Sequence, residues 1–151
     1  MIFRILGYLL LIETTLLLVC SGVSFLYQED DLSAFLLSAL STAGVSTILL
    51  FFGKGAERQM TRRDGYLIVS LTWFVFSLFG MLPFLISGYI PSVTNAFFEA
   101  MSGVSSTGAT ILDNIEALPH GLLFWRSMTQ WIGGLGIILF TIAVLPIFGV
   151  N

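Results

Sequence analysis

The residues of one short polar run, Ser105-Ser106-Thr107-Gly108-Ala109-Thr110, stand out in the chain. The chemistry they suit is ion coordination. An extended stretch of backbone can offer carbonyl oxygens in place of a cation's hydration shell. Gly108 permits the positive-φ conformations such a turn requires, and the hydroxyls of Ser105, Ser106, Thr107 and Thr110 can brace the loop. The segment before the run is apolar from Val93 to Met101, far short of the roughly 20 residues needed to cross a bilayer. As a helix, 93–104 reaches about 18 Å, to the middle of a membrane. Its C-terminal end carries partial negative charge and favours a cation beyond it. Non-helical backbone at that depth survives only where protein buries it or where it lines a watery cavity. The pattern therefore reads as a re-entrant pore helix followed by an extended filter loop. The alternative is an ordinary outer loop carrying a short surface helix.

The elements that must position this loop are membrane spans. Hydrophobic residues make up 56% of the chain and charged residues 10%, against about 25% charged in soluble domains. Four apolar stretches, Ile5–Tyr27, Leu32–Phe52, Tyr66–Ile86 and Leu122–Ile147, are each long enough to cross a core of about 30 Å. The fold class expected is an all-α membrane protein, with transmembrane helices around the re-entrant pore helix and filter loop. Residues 1–61 form an N-terminal helix hairpin and residues 62–151 a span–pore loop–span repeat. The first span could be a signal peptide, but it is longer than a usual h-region, contains Glu13 and lacks a small-residue cleavage site; it is expected to stay. Four of the six basic residues, Lys54, Arg58, Arg62 and Arg63, share one loop, and the turn Gln28-Glu29-Asp30-Asp31 is acidic. The positive-inside tendency places the basic loop and the N-terminus inside, the acidic turn and the pore-loop entrance outside.

The remaining polar residues each have two readings. Arg126 lies near the outer end of the fourth span. It either pairs with Glu99 on the pore helix or snorkels to the interface. Glu13 is expected to meet a structural partner, or water near the inner interface, rather than to couple transport. Asp113 and Glu116 either raise the cation concentration at the pore mouth or are simply solvated. The small and hydroxylated residues of the second span, Ser38 to Thr47, suit close helix packing. Gly133, Gly134 and Gly136 can admit close approach of the filter loop, and Pro83 and Pro146 kink or end their helices. His120 has no companion histidine or cysteine cluster for a metal site, and Cys20 is the single cysteine.

A resemblance adds to this reading. Phe98-Glu99-Ala100-Met101-Ser102-Gly103, Ser106-Thr107-Gly108-Ala109-Thr110, Phe124-Trp125-Arg126-Ser127, Gln130-Trp131-Ile132-Gly133-Gly134-Leu135-Gly136-Ile137 and Arg63-Asp64-Gly65-Tyr66-Leu67 resemble the Trk/Ktr/HKT superfamily of potassium transporters, most closely its TrkH branch. The motifs cover roughly residues 62–150; the first two spans match only as an extra N-terminal helix pair. The resemblance implies four non-identical repeats around one pore, with residues 66–148 as the first. It implies that K⁺ is held only at the filter, by the carbonyls of Ser106, Thr107, Gly108 and Ala109. Gly108, where some relatives have serine, is the residue associated with potassium permeation. Ser106 stands where TrkH relatives often have threonine, a departure that keeps the hydroxyl.

The expected function is potassium uptake across the cytoplasmic (inner) membrane, with no cofactor beyond transported K⁺ and a coupled H⁺ or Na⁺. By resemblance the partners are the lipid bilayer, the remaining repeats, a second copy in a homodimer and a cytoplasmic nucleotide-binding regulatory subunit; no nucleic acid is expected. One repeat is present, so the chain is either the N-terminal part of a longer protein, the favoured reading, or a small homotetrameric cation channel subunit. A non-transporting membrane assembly subunit is the further alternative. An intramembrane enzyme is not expected, because no catalytic constellation is visible in the spans.

Overall fold

The computed structural model describes residues 1–55, 59 and 61–144, and for 143 and 144 the backbone alone. Pro146 and Arg58, to which the sequence assigned a helix end and an inner-loop charge, lie outside the described residues. Among the described residues six α-helices follow in order: α1 Ile2–Tyr27, α2 Leu32–Phe52, α3 Arg62–Gly80, α4 Leu82–Ile86, α5 Val93–Val104 and α6 His120–Val144, with a 3₁₀ turn at Ile115–Ala117. Among the described residues there is no strand. By length and composition α1, α2 and the segment Arg62–Ile86 can cross a membrane. The 25 residues of α6 extend about 37 Å at 1.5 Å each.

Helices α1 and α2 pack side by side as an antiparallel hairpin. Small residues make this possible. Ser46 Oγ on α2 donates to Gly7 O on α1 at 2.6 Å, and a Cβ on Gly7 would come within 2.8 Å of the Leu50 side chain. Ser38 and Thr42 are buried and donate back to the carbonyls of Ala34 and Ser38. Of the small and hydroxylated residues of α2, Ser46 bonds across the hairpin and Ser38 and Thr42 are buried, whereas Ser41, Gly44 and Thr47 are exposed, so the packing pattern holds for one face of the helix.

The helix boundaries follow local chemistry. Thr61 and Asp64 form a reciprocal capping box at the start of α3. The third apolar stretch is not one helix. It breaks at Met81, between Gly80 at the end of α3 and Pro83 in the first turn of α4, where proline's missing N–H is tolerated. The break is held by Trp125 of α6, whose Nε1 donates to Gly80 O at 2.9 Å. Trp125, Phe84, Ile90, Ala96, Ala100 and Leu122 are almost wholly buried; they form the core between α5, α6 and the broken span.

Two carboxylates tie the hairpin to α6 across 91 residues of sequence. Glu29 accepts from His120 N at 2.6 Å and meets His120 Nδ1 at 2.7 Å, while the imidazole stacks on Tyr27 at 3.9 Å. Asp31 is fully buried, accepts from Ser24 Oγ and takes Leu122 N at 3.2 Å. The first N–H groups of a helix lack partners inside it, and negative charge suits that end. The acidic turn, which the sequence marked only as an outer loop, is therefore the N-terminal cap of α6. Gly121 leaves room for it, since a Cβ there would press on Asp31 and Phe35.

Candidate ion-coordinating loop

Helix α5 begins where the sequence placed it. Ser92 is its N-cap and accepts from Asn95 N at 3.4 Å. Its end is a Schellman turn: Ser106 N donates to Gly103 O at 2.9 Å and Thr107 N to Ser102 O at 3.0 Å. The left-handed residue of this turn is Ser106, with φ 57°, in a place usually given to glycine. A non-glycine side chain in that conformation costs roughly 1–2 kcal/mol. Its Oγ donates to Gln130 O at 3.2 Å, which offsets part of the strain and fastens the turn to α6. Gly108 is also left-handed, at φ 76°, in agreement with the conformational freedom expected of it.

After Ser106 the chain reverses and runs back along α5. Ser102 Oγ donates to Ala109 O at 2.6 Å. One turn nearer the start of the helix, Glu99 accepts from Thr110 Oγ1 at 3.0 Å and from Ile111 N at 3.2 Å. The same carboxylate receives Arg126 Nε at 2.6 Å, with 1% of the Glu99 side chain and 15% of the Arg126 side chain exposed. Of the two arrangements open to Arg126, the structure contains the ion pair. Glu99 is thus the junction of three segments: the short helix, the returning loop and α6. The bonds from Thr110 and Ile111 were absent from the sequence reading, as was the Ser102–Ala109 bond.

Close approach of α6 depends on two glycines. A Cβ on Gly133 would collide with Val104 O and C at the end of α5 and reach 3.1 Å from Ser106 Oγ. A Cβ on Gly103 would collide with Thr129 Oγ1. Helix α6 therefore lies against the turn that opens the loop. Gly134 and Gly136 are less constrained, with nearest approaches of 3.8 and 3.6 Å.

The resulting loop has a defined chemical face. Residues 106–111 are exposed in this chain. Among the described residues no hydrogen bond reaches the carbonyls of Ser106, Thr107 or Gly108, whereas that of Ala109 is taken by Ser102. Three consecutive carbonyls have no hydrogen-bond donor among the described residues, and that of Ala109, which accepts from Ser102, keeps a second lone pair. Asp113 and Glu116, beyond the loop, are exposed.

Glu13 departs from expectation. It is 0% exposed, and neither carboxylate oxygen has a hydrogen-bond partner among the described residues. It lies behind the helix break, 3.4 Å from the position a Cβ on Gly80 would occupy. The sequence reading assigned it a structural partner or interfacial water; the packing of α1 against the core encloses it instead. No group of three or more His, Cys, Asp or Glu side chains among the described residues could hold a metal ion.

These features define an all-helical integral membrane protein in which membrane-length helices hold a half-length helix and a returning loop. The family model described as TrkH, cation transport protein, matches residues 32–151, and the chain belongs to that family. It is 37% identical to the Trk system potassium uptake protein TrkH of Halomonas elongata, over 100% of this chain and 32% of that protein. It is also 37% identical to TrkH of Escherichia coli K12, over 98% of this chain and 31% of that protein. The crystal structure of the potassium transporter TrkH from Vibrio parahaemolyticus superposes with a TM-score of 0.90 at 37% identity, over 99% of this chain and 32% of that one. The chain thus spans about a third of the length of these relatives. The likeness, carried in the sequence by motifs from residue 62 onward, extends through the helix hairpin.

Proposed function

We propose that this chain forms the N-terminal helix hairpin (1–61) and the first span–pore loop–span repeat (62–151) of a potassium uptake protein of the cytoplasmic membrane. In this reading α5 is the re-entrant pore helix, entering from the outer face, and the N-terminus lies inside. The carbonyls of Ser106, Thr107, Gly108 and Ala109 supply one wall of a K⁺ filter, and Ser102 and Glu99 hold that wall at a fixed distance from α5. A cation that sheds water needs oxygens from several sides, so the remaining walls come from further repeats of the same protein. K⁺ is cargo rather than cofactor, moved down its gradient or coupled to H⁺ or Na⁺; the reading is transport and not catalysis. A homodimer and a cytoplasmic nucleotide-binding regulatory subunit complete the assembly.

The observation that carries the proposal is the returning loop: three unbonded carbonyls beside a left-handed Gly108, at the C-terminal end of a helix about 18 Å long. Cysteine at position 107 tests it. With Thr107→Cys in the full-length protein, a cationic thiol reagent added outside should block rubidium uptake, and excess K⁺ should slow the block. Modification of the thiol without loss of uptake would remove residue 107 from the pathway.

A further inference from the structure

At the end of the hairpin away from the acidic turn, α1, α2 and the turn after α2 flank a half-open cavity of about 330 Å³ lined by Arg4, Tyr8, Leu50, Lys54 and Gly55. Two cations share it. Their proximity is built into the backbone: a Cβ on Gly53 would lie 2.9 Å from Arg4 N, so glycine lets the end of α2 pass directly against the start of α1. The Arg4 guanidinium stands over the Tyr8 ring at 6.0 Å, and Lys54 Nζ over the Phe51 ring at 5.7 Å. Each aromatic face supports its cation without neutralising it. Among the described residues neither Arg4 nor Lys54 forms a salt bridge. The flanks of the cavity are apolar and exposed, with Phe3 at 55%, Phe51 at 67% and Phe52 at 71%.

We propose that this cavity binds the phosphate headgroup of an anionic phospholipid, Arg4 and Lys54 contacting the phosphate while the acyl chains lie along Phe3, Phe51 and Phe52. The volume is within the range of small-ligand sites, and basic pockets between helices at the membrane surface suit such headgroups. The apolar flanks favour a lipid over a soluble phosphate ester. The inference rests on the proposed membrane placement of the hairpin and requires nothing of the filter.

Retention of phosphatidylglycerol by the full-length protein in neutral detergent, read by native mass spectrometry, tests it without reference to transport. Arg4→Gln with Lys54→Gln should weaken retention about thirtyfold, at about a factor of five for each cation removed, with an unchanged melting temperature. Lys54→Gln alone should give about the fivefold step. Arg62→Gln with Arg63→Gln removes the same charge outside the cavity and should leave retention unaltered. Equal losses in the two double variants, or no loss in either, would overturn the site. Glycerol 3-phosphate should compete poorly; displacement of the lipid by it at equal concentration would reassign the cavity to a soluble phosphate ester and overturn the lipid proposal. Failure of these results leaves rubidium uptake, and the reading of the filter, standing.

Discussion

Replacing Glu99 tests how the loop is held. Its carboxylate is almost wholly buried and accepts from Arg126, Thr110 and Ile111. Glu99→Ala strands the Arg126 guanidinium and removes the acceptor for two further donors. Breaking a buried pair costs about 3–5 kcal/mol; Arg126 keeps some water access, which favours the lower end. Each lost hydrogen bond adds about 1 kcal/mol. The expected destabilisation is therefore about 5 kcal/mol, comparable with the whole net stability of a marginal domain. Arg126→Ala should cost less, about 3 kcal/mol, because Thr110 and Ile111 still donate to the carboxylate that remains. With both replaced, no charge is left buried alone, and the double variant should be more stable than the sum of the single losses predicts by about 2 kcal/mol. Unfolding of the full-length protein in mixed micelles measures all four corners of the cycle. Single losses that add to within about 0.5 kcal/mol would refute the coupling and with it the role of Glu99 as a junction.

Other substitutions probe the packing behind the loop. Gly133→Ala forces a methyl into Val104 O; α6 must move off the end of α5, so the melting temperature and potassium uptake should fall together, whereas Gly134→Ala, whose methyl would meet Ser106 Oγ at an ordinary contact of 3.8 Å, should leave both within error. Glu13→Leu removes a buried carboxylate that has no hydrogen-bond partner among the described residues. Since nothing is left unpaired and the replacement is apolar, stability should be unchanged or higher, and a loss above about 2 kcal/mol in the same unfolding assay would show that Glu13 has a partner in the assembled protein.

The legible parts of the fold were those written in local patterns. Ser92 before an apolar run and polar residues after Val104 delimited α5, and four apolar stretches separated by charge gave the long helices. Gly108 carried its backbone conformation in its identity, whereas Ser106 adopts the same hand without any sequence signal, because the Schellman turn and the bond to Gln130 hold it there. Contacts across a chain reversal were not legible. The bonds of Glu99 to Thr110 and Ile111, and of Ser102 to Ala109, depend on where the loop turns back, and residue periodicity contains no such information. Distance hid the cap of α6 as well: Glu29 and Asp31 precede their partners by 91 residues, so the turn presented itself only as acidic. Pro83 signalled a break, but Trp125 reaching Gly80 O is a tertiary contact. Glu13 lay inside an apolar run whose depth in the assembled core only packing decides.

If Ser106, Thr107 and Gly108 face a conducted cation, Gly108→Ser in the full-length protein must alter conduction. Among the described residues nothing stands within 4 Å of a Cβ at that position, and the backbone is held at φ +76°. The serine side chain therefore has room in this repeat, and its effect comes from about 1–2 kcal/mol of backbone strain and from a hydroxyl placed beside the free carbonyls. A change of about 1.4 kcal/mol between two ions shifts their preference tenfold. Rubidium and sodium uptake, normalised to protein in the membrane, should show unaltered insertion with K⁺-like selectivity reduced about tenfold or uptake lost. Unchanged uptake and unchanged selectivity would contradict the account and remove residues 106–108 from the conduction path.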